Sequence, residues 1–243
     1  MLIKQFINRG EIHKDFCEDF LLNKKLNEKY HLFGVFDGCS GGIDSHFAST
    51  LLAKIISEES KFIKKNNKKS LSELLKKLIR KTAKKLSKIQ KQLHLQTDEL
   101  LSTIVLLLVD TKNNKAEIIA IGDGYISVNY TETIIDQENK PSYLAYYLKD
   151  IKNKENFAKW YDENVTKINA DNFSDLTIST DGILTFRNRN AKPENDIKPI
   201  EFLVKDDFLI KNSAMLSRKS NILKNKHNYV NFDDLAMFRI IRK

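Results

Sequence analysis

The run Thr103-Ile104-Val105-Leu106-Leu107-Leu108-Val109 offers no face to water. Side chains of a strand alternate between its two faces, so a strand apolar on both needs a layer above and a layer below. Asp110 to Lys115 is rich in turn residues, and Ala116 to Ile121 returns as a second β run. That pair reads as a hairpin, hence antiparallel. Helical period is confined to separate blocks. Ala48, Leu51, Leu52, Ile55, Ile56, Phe62 and Ile63 share one helix face, with Asp44 or Ser45 as its start. Ser70 and Glu73 form a capping box for a second helix, whose stripe runs from Leu71 to Leu93. A short turn, residues 66–69, joins the two helices. Further β runs are Leu2 to Ile7, Phe16 to Leu22, Leu32 to Phe36, Tyr125 to Tyr130, Leu176 to Thr180 and Leu235 to Ile241. Residues 131–170 read as loops with irregular strands, 186–200 as a polar loop, and 212–223 as a helix. Helices and strands are not interleaved one by one, which indicates an α+β fold: two antiparallel sheets with helices on their outer faces.

With 243 residues, 3 Pro and 8 Gly, and no linker between halves, the chain reads as one domain spanning 1–243. It contains no apolar run of about eighteen residues that would cross a membrane. The apolar start is too short for a signal peptide. Cys17 and Cys39 make no disulfide framework, so a cytoplasmic location is expected. The formal charge of +9 gathers between Lys54 and Lys91. No aromatic residues interleave with those lysines, so they read as the solvated face of two amphipathic helices, not as a nucleic-acid or membrane surface.

Three β runs end in Asp-Gly: Asp37-Gly38, Asp123-Gly124 and Asp181-Gly182. Glu18-Asp19 and Asp233-Asp234 also abut β runs. One Asp-Gly is an ordinary turn. Five acidic positions at strand ends are a candidate oxygen-rich site for Mg²⁺ or Mn²⁺, because converging carboxylates raise each other's pKa unless a cation neutralises them.

In order along the chain, Glu18-Asp19-Phe20, Gly34-Val35-Phe36-Asp37-Gly38, Ser102-Thr103, Ile121-Gly122-Asp123-Gly124, Ile178-Ser179-Thr180-Asp181-Gly182-Ile183 and Asp233-Asp234-Leu235-Ala236 resemble the motifs of the protein phosphatase 2C family. The resemblance spans nearly the whole chain. It implies a central β-sandwich flanked by helix pairs, with a binuclear Mg²⁺ or Mn²⁺ centre at one end. It implies that Asp37 bridges two ions and that the Gly38 carbonyl binds one of them. Glu18, Asp181 and Asp233 complete the shell, and Asp19 holds a water. Asp123, with Asp181, falls where many members hold a third, weaker ion. Of the adjacent pair, Asp233 aligns with the ligand and Asp234 is expected to matter much less. The implied activity is hydrolysis of phosphoserine or phosphothreonine in a phosphoprotein substrate by an activated water.

Three positions depart from the family. Lys14 stands where an arginine grips the substrate phosphate, and a lysine offers a point charge without the two-pronged fork. Cys39 stands in place of a histidine, and Thr185 in place of an acid. A phosphatase-like domain that binds a phosphoprotein without turnover is the alternative reading. His13 reads as incidental.

Overall fold

The computed structural model describes every residue except 43, 67–68, 139–140, 152, 191–196 and 243. β1 (Leu2–Asn8), β2 (Phe20–Lys25) and β3 (Tyr30–Phe36) precede α1 (Ser45–Glu59) and α2 (Leu71–Leu93). Then come β4 (Ile104–Asp110), β5 (Lys115–Ile121), β6 (Gly124–Val128) and β7 (Thr131–Ile135). The remainder is α3 (Lys154–Asn164), β8 (Thr166–Asp171), β9 (Asp175–Ser179), β10 (Phe186–Asn188), α4 (Pro199–Val204), α5 (Met215–His227), β11 (Tyr229–Asn231) and β12 (Leu235–Ile241).

Two five-stranded sheets form, ordered β1-β12-β9-β6-β7 and β2-β3-β4-β5-β8, and every pairing in them is antiparallel. β4 accounts for its own composition. Val105, Leu107 and Val109 pack between the sheets with Ile178, Phe238 and Ile240. Ile104, Leu106 and Leu108 pack outward against Leu52, Ile56, Leu75 and Leu78 of α1 and α2. The other sheet is covered by α4 and α5, where Leu203, Leu216 and Leu223 meet Tyr125 and Met237. The molecule is therefore layered α, β, β, α, as read from the sequence. Phe33 and Phe238 tie the two sheets together, with ring centroids 5.2 Å apart.

The second helix begins where its capping box places it, with the Ser70 side chain accepting from Glu73 N–H and Glu73 returning the bond. Other boundaries move. The second strand starts at Phe20, not Phe16, because residues 11–19 form an irregular loop. Residues 131–170 are more ordered than expected: they hold β7, α3 and β8. Phe157, Trp160 and Tyr161 of α3 are buried in the α1/α2 core and anchor that excursion. The expected loop 186–200 contains β10 and the start of α4, with 191–196 outside the described residues. The helix expected at 212–223 runs from Met215 to His227. Part of the helix–helix turn at 66–69 also lies outside the described residues.

Candidate metal centre

Antiparallel pairing gathers the acids by register. Phe20 pairs with Phe36, so Asp19, just before β2, and Asp37, just after β3, leave the same edge side by side. In the other sheet Met237 and Tyr125 both pair with Ser179. Asp181 after β9, Asp233-Asp234 before β12 and Asp123 before β6 therefore share one end. The sheets stack with these ends together.

The contact between them is specific. Thr180 Oγ1 donates to Asp19 Oδ2 at 2.7 Å, and accepts from Ala236 N–H at 3.0 Å, so one hydroxyl links the sheets. Asp37 is fixed through its backbone: its N–H donates to Thr103 Oγ1 at 3.2 Å and its carbonyl accepts from Thr103 N–H at 2.8 Å. Gly182 lies so close to β12 that a Cβ there would sit 1.7 Å from the Asp234 carbonyl oxygen. Thr185 Oγ1 accepts from Asp233 N–H at 3.0 Å and donates to the Gly182 carbonyl at 2.8 Å.

The electrostatics follow from crowding. Asp37 has its pKa raised, by burial first and then by Asp19, Asp181 and Asp233. Asp19 is raised by burial, then by Asp234 and Asp181, against the lowering hydrogen bond from Thr180. Asp181 is pushed up to about 6 by burial, Asp233 and Asp123. Asp233 and Asp123 are raised chiefly by burial. Asp19 Oδ1 is buried without a hydrogen-bond partner. Glu18 Oε2 accepts from Ser40 Oγ at 2.7 Å. Gly38, buried beside Glu18, donates its N–H to the Glu18 carbonyl at 3.2 Å. Asp123 stands at the edge, where its carboxylate accepts from Gln137 N–H at 2.8 Å and its charge reaches Asp181. Among the described residues no three His, Cys, Asp or Glu side chains close into one cation cage.

Lys14 is not drawn in. Its side chain is exposed and its carbonyl accepts from the Arg9 guanidinium. Its neighbour His13 turns inward instead: the imidazole is 11% exposed, with Nδ1 2.8 Å from Asp234 Oδ2 and Nε2 3.6 Å from both Glu18 Oε2 and Asp233 Oδ1. Burial lowers the His13 pKa, but Asp234, Glu18 and Asp233 outweigh it and the net shift is upward. Asp234 has a structural role of its own. Its buried carboxylate also accepts from Gly10 N–H at 2.6 Å and Glu18 N–H at 2.5 Å, so it organises the loop that carries Glu18. Thr180 lay inside the Ser-Thr-Asp-Gly motif and was legible as a hydroxyl beside the acid. Nothing local to His13 marked it, because two of its three acidic neighbours, Asp233 and Asp234, are at the far end of the chain.

The sequence profile of the family described as Protein phosphatase 2C matches residues 9–209. The chain belongs to the protein phosphatase 2C family. No curated protein sequence matches it. Among solved structures, a bacterial serine phosphatase carrying a point mutation is similar, with TM-score 0.63 and 15% identity over 100% of this chain and 99% of that one. The serine/threonine phosphatase Stp1 from Staphylococcus aureus gives TM-score 0.60 at 15% identity, covering 100% of this chain and 96% of its own. RsbX, solved in complex with magnesium, gives TM-score 0.55 at 13% identity, covering 98% and 94%. These likenesses establish a shared protein phosphatase 2C fold. Among the described residues no helix is long and apolar enough to cross a membrane.

Proposed function

We propose that the chain, as one domain of the protein phosphatase 2C family, is a cytoplasmic metal-dependent phosphomonoesterase that hydrolyses phosphoserine or phosphothreonine in proteins. The observation that carries this reading is the convergence of Asp19, Asp37, Asp181 and Asp233 from both sheets, each with its pKa raised. The donor set fits Mg²⁺ or Mn²⁺: it is dominated by carboxylate oxygens, and the buried Asp19 Oδ1 lacks a partner. Asp37 and the Gly38 carbonyl, with Glu18, Asp181 and Asp233, would hold two ions, and Asp123 with Asp181 would serve a third, weaker position. Such ions clamp the phosphoryl oxygens and supply a nucleophile at neutral pH. Asp19 would orient the attacking water, and the exposed Lys14 would supply a positive charge to attract the substrate phosphate. The acidic walls exclude an unneutralised phosphate, so substrate entry depends on the cations.

A side-chain nucleophile is poorly supported. Burial pushes the Cys17 thiol up to about 12, leaving almost no thiolate at neutral pH. Cys39 is followed by Ser40-Gly41-Gly42, without the arginine of a cysteine phosphatase loop. The test is hydrolysis of p-nitrophenyl phosphate and of a phosphothreonine peptide with Mn²⁺, with Mg²⁺ and with EDTA. Turnover with either ion that vanishes in EDTA is expected. Equal turnover in EDTA would overturn the metal mechanism. Tight phosphopeptide binding with no turnover would favour the non-hydrolytic binding domain.

A further inference from the structure

The second half of α2 carries charge that nothing answers. Exposed helix faces ordinarily mix signs, because like charges three or four residues apart repel. Between Lys76 and Lys91, α2 has eight basic residues and no acid. Its first half is neutralised from elsewhere: Lys76 meets Asp162 at 3.0 Å, and Lys81 pairs with Glu59. Lys84, Lys85, Lys88 and Lys91 are exposed and, among the described residues, pair with no carboxylate. The same holds for Lys149, across from them. Between these lysines runs a groove. Ala83, Ser87 and Gln90 share one face of α2, and the short Ala83 and Ser87 leave space against Leu148 and Ile151. Two concavities of about 560 and 150 Å³ share Ser87 and Leu148, so they join into one trough. Its floor is the buried Ala83, Leu148 and Ile151, and its rim is Lys84, Lys91 and Lys149. No acid lines it, whereas the concavities at Asp110 and at Glu201 are lined by both signs.

We propose that this trough docks an acidic segment of a partner protein, with Glu or Asp side chains meeting Lys84, Lys91 and Lys149 and an apolar side chain resting on Leu148 and Ile151. Charge complementarity selects the occupant: a rim of one sign, unneutralised from within the chain, is satisfied by carboxylates from outside it. Arriving carboxylates also relieve the repulsion among the lysines of α2. The trough's shape and lining select a peptide over other polyanions. A membrane-binding helix exposes large apolar side chains beside its lysines. From Lys84 to Lys91 none is exposed, and on α2 only Leu93, its last residue, is. A single-stranded nucleic acid wants aromatic faces for its bases, and no Phe, Tyr or Trp lines the trough. The metal centre takes no part in this contact, so it stands or falls apart from the proposed activity.

The experiment follows the fluorescence anisotropy of a fluorescein-labelled synthetic peptide of repeating Glu-Glu-Leu as the full chain, free of metal, is added at low salt. A counterpart peptide carries Gln in place of every Glu, and labelled oligothymidylate and phosphatidylserine vesicles are titrated in parallel. Saturable binding of the Glu peptide is expected, with the Gln peptide at least about tenfold weaker. A variant combining Lys84→Glu, Lys91→Glu and Lys149→Glu should bind the Glu peptide at least about tenfold less well. A variant combining Lys54→Glu, Lys64→Glu and Lys65→Glu makes the same change in net charge on α1 and the turn after it. It should stay within about twofold of the wild type, because exposed charges beyond a Debye length are screened. Ser87→Tyr changes no charge but fills the point where the two halves of the trough join, and should weaken the peptide as the first variant does. Circular dichroism and thermal melting establish that all three variants are folded. The proposal is overturned if the Glu peptide does not bind, if the two lysine variants lose affinity equally, or if Ser87→Tyr binds as the wild type does. Tighter binding of oligothymidylate or of the vesicles than of the peptide overturns it as well.

Discussion

Asp37→Asn keeps the side chain's shape and removes its charge. Metal affinity and turnover are expected to collapse together, while the melting temperature without metal stays level or rises, since the variant relieves repulsion from Asp19, Asp181 and Asp233. Calorimetry with Mn²⁺ and a melting curve in EDTA would check both; a turning-over variant would mean the bridge is misplaced. Asp234→Asn is expected to act differently. Its amide keeps one acceptor oxygen, so the NH₂ must face the N–H of either Gly10 or Glu18 and leave that buried donor unpaired. The expected loss is about 1–3 kcal/mol of stability, visible in a urea midpoint without metal. An Asp233→Asn variant, losing an outer carboxylate that also shows a raised pKa, should lose metal while melting much as before.

At the scale of elements, the parts of the fold that were legible are those whose physics is local. β4 announced a layer on each of its faces because Ile104 to Val109 has no polar side to turn to water. The Ser70 cap was written within four residues, and Ser70→Ala should cost about 1 kcal/mol in the same urea assay. The Asp-Gly turns located most of the acidic centre for the same reason. α3 was hidden because its buried Phe157, Trp160 and Tyr161 make a narrow stripe in a polar helix, and their burial is decided by distant Leu and Ile side chains. His13 and Asp234 were hidden for the same cause at the site: each takes its role from a partner across the molecule. Gly182 joins the elements most tightly. Gly182→Ala would drive a methyl into the Asp234 carbonyl, so roughly 1–3 kcal/mol or more should be lost, with metal binding falling alongside it. An unperturbed Gly182→Ala protein would show that the β9 and β12 ends are not this close in solution.

At the scale of the molecule, the acidic centre sets how stability answers to pH. Asp181 has a folded pKa of about 6 against an ordinary 3.8. Between those values the folded state binds more protons than the unfolded one. Its contribution is therefore fullest at low pH and is lost as pH rises through about 6. His31 works in the opposite sense: burial, with Lys25, lowers it from 6.5 to about 4, so acidification across that window favours unfolding. Asp181→Asn should thus lessen, without abolishing, the fall of the metal-free melting temperature as pH rises from 5 to 7, because Asp19, Asp37 and Asp233 also have raised pKa values and remain. Saturating Mn²⁺ should raise the melting temperature more at pH 7 than at pH 5, because protons and cation compete for the same oxygens. Equal stabilisation at both values would place the cation elsewhere. The strand order carries a consequence in time. β12 lies between β1 and β9, so the last of these strands to leave a ribosome is an interior one. Until it arrives, β1 has no neighbour in its sheet and Asp233 has only just been made. A nascent chain released short of residue 229 should be digested readily by protease and hydrolyse nothing, so the proposed activity cannot begin while the chain is still being built.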